Sequence, residues 1–343
     1  MPRPARRAVS GLALLTAAAA ASVLVTGPAA GAAGAVGTVF SPNPVQSTGD
    51  ETLTDQKDAD VAVPSSAYRD VTLTDLDGSG TLNGTWATIK SATGPAAFSS
   101  SGSFRFTRHD DRFEQVMAYY WITQSQRYLR SLGFGTGAFP PANARQQVAR
   151  INQFGGDNSF FREDGKLTIT LGKGGVDDAE DGEVIVHEYG HAVQDAQVPG
   201  FGTTLEAGSI GEGFGDYLAV AVSDWVSGVP TLAPEACVAD WDSVSYTSGP
   251  VHCLRRIDGT KHYPEDIANE VHRDGEIWSS TLYDIRGSVG ASTADKIIVN
   301  AQFSFAPDTS FRDAALDTVA AAQQFGNRAV TAVRAAFTER GIL

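Results

Sequence analysis

The spacing of hydrophobic residues changes once along this chain. Between residues 36 and 112 they stand singly or in alternation among Gly, Pro, Ser, Thr and Asp, and from Phe113 onward they recur mostly at helical spacing. The stretch "GTVFSPNPVQSTGDETLTDQKDADVAVPSS" has little periodicity and predicts an extended, loop-rich arm. In "YRDVTLTDLDGSGTLNGTWATIKSA", Val71, Leu73, Leu82, Trp86 and Ile89 sit among turn residues, which predicts short antiparallel strands. Residues 36–112 therefore read as a β-rich N-terminal segment. "FEQVMAYYWITQSQRYLRSL" predicts a helix from Phe113 to Leu132, stopped by Gly133. Lys166 to Leu171 alternates like a strand after a turn at Asp164 and Gly165, and Glu183 to Asp195 reads as a helix. A further helical run, "GEGFGDYLAVAVSDWV", follows Gly211. "EIWSSTLYDIR", "TADKIIVNAQFSF", "FRDAALDTVAAAQQF" and "RAVTAVRAAFTERG" then make the C-terminal portion mainly helical. The expected fold class is α+β: residues 113–200 complete a β-containing N-terminal part, residues 201–343 form a helical C-terminal part, and a histidine-bearing helix lies at the junction.

The first 35 residues follow a different rule. Arg3, Arg6 and Arg7 precede the apolar "AVSGLALLTAAAAASVLVTG" and the small-residue run "PAAGAAGA", the layout of a secretory signal over residues 1–35. An uncleaved anchor is the rival, since the apolar stretch approaches spanning length. The expected location is extracellular, without stable membrane association after cleavage, and the expected state is a monomer. With 42% hydrophobic and 19% charged residues, the 343-residue chain is composed to fold rather than to stay disordered. Its formal charge of −14 repels nucleic-acid phosphates and anionic lipids, which excludes both as partners. Cys237 and Cys253 are the two cysteines, and in an exported chain they are expected to pair. Closing that loop is worth about 3 kcal/mol on the chain-entropy estimate.

Within "VIVHEYGHAVQD", residues 184 to 195, His187 and His191 are one helical turn apart and project from one face, near enough to share an ion. Glu188 points about 100° round the helix, where its carboxylate reaches water without ligating. A catalytic zinc needs a third protein ligand and an open position. Glu212 in "GEGFGD" supplies the ligand, and Asp216, one turn on, accepts the free N–H of a ligand histidine. The plainer alternatives are a buried helix that carries two imidazoles and a solvated acidic helix face. Glycines 211, 213 and 215 count against these, because small residues allow the close helix approach that a shared metal requires.

The "HEYGH" helix, the "EGFGD" helix and the later "VHRDGEIWSSTLYDI" together resemble the thermolysin- and fungalysin-type zinc metallopeptidases, the gluzincins. The resemblance runs with gaps from Phe113 to the C-terminus and includes "DNSFF", "CLRR" and "FRDAALDTVAAAQQFG". It implies a thermolysin-like fold with the active cleft between its two parts, and a secreted zinc endopeptidase that hydrolyses internal bonds of protein or peptide substrates. By the same resemblance His187, His191 and Glu212 hold Zn2+, Glu188 is the general base acting on a metal-bound water, and Asp216 backs a ligand histidine. His272 would stabilise the oxyanion. Arg255 would hold the substrate backbone just beyond the scissile bond, with the adjacent Arg256 leaving the register open by one, and Asn158 would bond the substrate main chain from an edge strand.

The sequence also departs from the family. Gly211 stands where an Asn often precedes the glutamate ligand, so one histidine is expected to lack that partner. The transition-state tyrosine has no clear counterpart, with Tyr246 and Tyr263 as substitutes. The double-calcium cluster is unmatched; "DDAEDGE", residues 177 to 183, could bind one Ca2+ but reads better as a solvated acidic loop. "DLDGSGTLNG" lacks the closing glutamate of a calcium loop and reads as a turn. His109, His252 and His262 read as structural. The stretch before Phe113 is too short for the family's folded propeptide, so no large pro-segment is expected. These departures feed an alternative, a catalytically weak or inactive binding or adhesion protein on the same fold. An exopeptidase is a third reading.

Overall fold

In the computed structural model, residues 34–161, 166–227, 234–247 and 249–343 are described; the expected signal up to residue 33 and the turn at Asp164 and Gly165 lie outside the described residues. The chain runs through β1 (Ala35–Phe40), α1 (Pro44–Thr48), β2 (Tyr68–Leu73), β3 (Ala87–Ser91), β4 (Ser103–Phe104), α2 (Arg112–Ser131), β5 (Gln147–Ile151), β6 (Ser159–Phe161) and β7 (Thr168–Leu171). It continues through α3 (Gly182–Gln197), α4 (Leu205–Ser227), β8 (Cys237–Val238), β9 (Arg255–Arg256), α5 (Val271–Val289), α6 (Ala291–Ala301), α7 (Phe311–Ala321) and α8 (Asn327–Glu339). The expected mixture of N-terminal strands and C-terminal helices is what the chain adopts.

Two expectations about the N-terminal strands need correction. The stretch read as a loose arm contains β1, which pairs antiparallel with β2 and parallel with β4. Val39 and Phe40 are fully buried; the Phe40 ring meets Phe113 edge-on with centroids 4.7 Å apart. Too few apolar residues lie there to show a period, and it is packing on α2 that orders them. The second correction concerns β3, expected to be antiparallel. It runs parallel to β5, and β5 parallel to β7, while β6 lies antiparallel on the outside in the order β3-β5-β7-β6. Its partner lies far along the chain, beyond the reach of a local turn signal.

Helix α2 places its apolar side chains in the core that the sheet and α3 share. Helix α3 is started by Asp181, whose carboxylate accepts the Glu183 N–H at 2.9 Å. Helix α4 begins at Leu205, well before the Gly211 where the sequence reading began it. The glycines lie inside this helix because neighbours crowd it. A Cβ on Gly190 of α3 would stand 2.9 Å from the Gly215 Cα, and one on Gly213 would stand 2.4 Å from the Gly275 carbonyl oxygen of α5. Strands β8 and β9 form a small antiparallel ribbon, and the expected Cys237–Cys253 disulfide ties β8 to the end of the loop that joins them. No helix among the described residues is long and apolar enough to cross a membrane.

Candidate active site

The close crossing of α3, α4 and α5 brings three predicted ligands to one point. One ligand atom each from His187, His191 and Glu212 lie within 4.8 Å of one another. The Glu212 carboxylate faces both rings, with Oε2 3.2 Å from His187 Nε2 and Oε1 3.5 Å from His191 Nε2. Buried Glu212 Oε2 faces these ring nitrogens without a contact of good hydrogen-bond geometry, as expected of an oxygen placed for a metal. Two imidazole nitrogens and a carboxylate are a zinc donor set, so these residues fit the ion. They line a cleft of about 400 Å³, together with Glu188, Asn158, Phe161, Phe201 and His272.

Behind the ligands, Asp216 Oδ1 lies 2.9 Å from His187 Nδ1 and so fixes that nitrogen as the protonated one. The same carboxylate receives Arg255 Nε and Nη2 at 2.7 Å each. Burial raises the Asp216 pKa, but Arg255 and His187 outweigh it and hold it down to about 2. Burial also works against a proton on His187, yet Asp216 and Glu212 push its pKa up to about 10. Burial lowers His191 to about 4, and burial raises the Glu188 carboxyl to about 8 against the pull of His187.

The structure brings most of the other predicted residues to the same place. His272, near the start of α5, points Nε2 at Glu212 Oε2 at 3.3 Å. Arg255 borders Glu188, whereas Arg256 pairs with Asp258 on the surface. Asn158 stands immediately before the edge strand β6. Above Gly211, the Gln194 side chain fills the space an Asn would take; a Cβ there would lie 3.4 Å from Gln194 Oε1 and 3.6 Å from the His191 ring. Neither tyrosine proposed as a substitute lines the cleft. Tyr263 donates to Glu206 at 3.0 Å, and Tyr246 donates to Asp157 at 2.8 Å in the pocket behind Glu188.

One expectation is overturned. Residues 177 to 183 are not a solvated loop: Asp177, Asp178, Glu180, Asp181 and Glu183 are all buried. Glu180 binds Arg108, and Asp181 caps α3. The sequence reading also missed Glu270, whose carboxylate caps α5 and lies 2.7 Å from His272 Nδ1. An acid two residues before a candidate histidine at a helix start was the available signal.

Comparisons with known proteins bear on the family and the fold. The family model described as "Thermolysin metallopeptidase, alpha-helical domain" matches residues 201–342, which include Glu212, Asp216, Arg255 and His272. The extracellular metalloproteinase mep of Aspergillus niger is 26% identical over 124 residues, 32% of this chain and 18% of that protein. The extracellular metalloproteinase MEP of Neosartorya fischeri is 27% identical over 121 residues, 30% of this chain and 17% of that protein. The match thus spans less than a fifth of these curated relatives. Among solved structures, the precursor of protealysin, a metalloproteinase from Serratia proteamaculans, is similar with a TM-score of 0.54 and 15% identity, covering 75% of this chain and 87% of that one. At that identity the likeness speaks for the fold.

Proposed function

From the premise that the chain is thermolysin/fungalysin-like in its helical domain and fold, we propose that it is a secreted zinc-dependent endopeptidase acting on protein or peptide substrates. The observation that carries this reading is the convergence of His187, His191 and Glu212 within 4.8 Å, in a cleft shared with Glu188. Zinc, when bound there, would supply a Lewis acid for the scissile carbonyl and make water acidic enough to lose a proton near neutral pH. The protein's own residues do the rest. Asp216 keeps the proton of His187 on Nδ1, which leaves Nε2 free to ligate. Glu188, buried and with Oε2 unpartnered, takes the proton of the attacking water and returns it to the leaving amine. His272, oriented by Glu270, donates from Nε2 to the developing oxyanion. Arg255, locked by Asp216, and Asn158, beside β6, hold the substrate backbone.

Cleavage of a mixed peptide library, read by mass spectrometry beside Glu188→Gln, tests this. Internal cuts by the parent should vanish in the variant while its zinc content, measured by elemental analysis, stays at one per chain. A folded, zinc-loaded parent that cuts nothing would move the reading to a binding protein on a peptidase scaffold. Cuts confined to substrate termini would move it to an exopeptidase. The extracellular relatives support secretion, and the N-terminal sequence of exported material tests that.

A further inference from the structure

A second pocket opens on the Arg255 side of Glu188. Val184, Val238 and Leu254 give it apolar walls, and Asp178, Asp242 and Tyr246 also line it. Asp157 joins the two acids: one carboxylate oxygen from each of Asp157, Asp178 and Asp242 lies within 4.8 Å of the others. Asp178 and Asp242 are only 2% and 4% exposed, and each keeps Oδ1 without a hydrogen-bond partner. The other oxygen of Asp178 accepts from Ser159 Oγ, and Asp157 accepts from the Tyr246 hydroxyl at 2.8 Å. Arg255 borders the same pocket, but Asp216 engages its Nε and Nη2. Burial raises the pKa of Asp178 to about 7 and that of Asp242 well above the usual carboxylate range. Arg255, bonded to Asp216, offsets this crowding only in part, and buried acids so placed gain when a further cation reaches them.

We infer that this pocket binds the side chain of a lysine or arginine of the substrate, on the amine side of the scissile bond, with its stem against Val184, Val238 and Leu254 and its cationic end on Asp157, Asp178 and Asp242. The inference rests on the peptidase reading. In that reading Arg255 holds the substrate backbone just beyond the scissile bond, so the pocket that Arg255 and Glu188 border faces the residue that supplies the amine. The chemistry matches the walls: an ammonium carries three N–H donors for three carboxylates, and its methylene stem packs on apolar surface. A calcium ion would need nearly every oxygen of the three carboxylates and two hydroxyls gathered here to reach about six to eight ligands. It would also leave the apolar walls and the opening beside Glu188 without a role.

The library experiment is extended in two directions. Cuts should be enriched before Lys and Arg, and paired peptides carrying lysine or its uncharged analogue norleucine at that position should differ in kcat/KM by on the order of 100-fold. Asp242→Asn and Asp178→Asn, checked for folding by circular dichroism, should each erase most of that difference while cleavage of the norleucine peptide persists. Calorimetry with zinc-loaded Glu188→Gln should show the lysine peptide binding more tightly than the norleucine peptide, a readout independent of turnover. Cuts enriched before leucine or phenylalanine would overturn this inference and leave the peptidase standing. Calcium or terbium bound at the three aspartates, with no lysine preference, would overturn it in favour of a metal site. No cleavage of any peptide, together with equal binding of the two, would remove both readings.

Discussion

Asp216 serves two neighbours with one carboxylate, and its fully buried position makes it the residue whose loss is most informative. Asp216→Asn should weaken zinc binding by about 10- to 100-fold, as measured by competition with a chromogenic chelator. The amide cannot both accept from His187 and satisfy the buried guanidinium of Arg255 as an anion does. At this scale the sequence was readable wherever a role depends on spacing within one helix. His187, Glu188 and His191 are one turn of α3, and Glu212 and Asp216 one turn of α4. It was unreadable where a role depends on residues that meet only in three dimensions. Asp157, Asp178 and Asp242 lie in three separate stretches, and each looks alone like an ordinary solvated acid. The burial of residues 177 to 183 was misread for the same reason: Arg108, which neutralises Glu180, comes from a distant segment.

At the scale of elements, the site depends on how closely three helices pass. Gly213→Ala should cost about 1–3 kcal/mol in denaturant unfolding, because its Cβ would meet backbone of α5 rather than a movable side chain. It should also lower zinc affinity, since α4 cannot shift without carrying Glu212 with it. A variant of unchanged stability would mean that the crossing has slack. The same glycines show why the start of α4 was misplaced. In sequence a glycine is a stop or start signal, whereas here Gly211, Gly213 and Gly215 are interior positions, and at Gly213 and Gly215 the missing side chain is the point. The C-terminal helices were legible because their apolar faces repeat over several turns. The parallel pairing of β3 was not, because its partner is chosen by topology rather than by a neighbouring turn.

For the molecule as a whole, acids buried around the start of α3 make stability depend on pH. Burial, their first cause, raises Glu180 to about 7, Asp181 to about 6 and Glu183 to about 8. Folded values above the unfolded ones mean that the folded state holds the protons more tightly. Their stabilising contribution is therefore complete below about pH 4, near the unfolded carboxylate values, and is lost as pH rises through 6 to 8. In chelator, the midpoint of thermal unfolding should fall between pH 5 and pH 8; a midpoint that climbs over that range would contradict the burial of these groups as charged-state penalties. The fold class was legible at this scale because the helical spacing of the C-terminal part survives as α4 to α8, while the strands of the four-stranded sheet all precede α3.

Strand β6 carries one more consequence. It closes the four-stranded sheet with three residues and leaves its outer edge unpaired among the described residues, right beside Asn158 and the cleft. An exposed edge can be completed only by a chain that is itself extended and free to pair. On the proposed reading, this makes the end of the sheet a sensor of unfolding: native proteins would pass by with their bonds locked in their own ladders, while a frayed loop or an unravelled terminus would be held as a missing strand before any side chain is inspected.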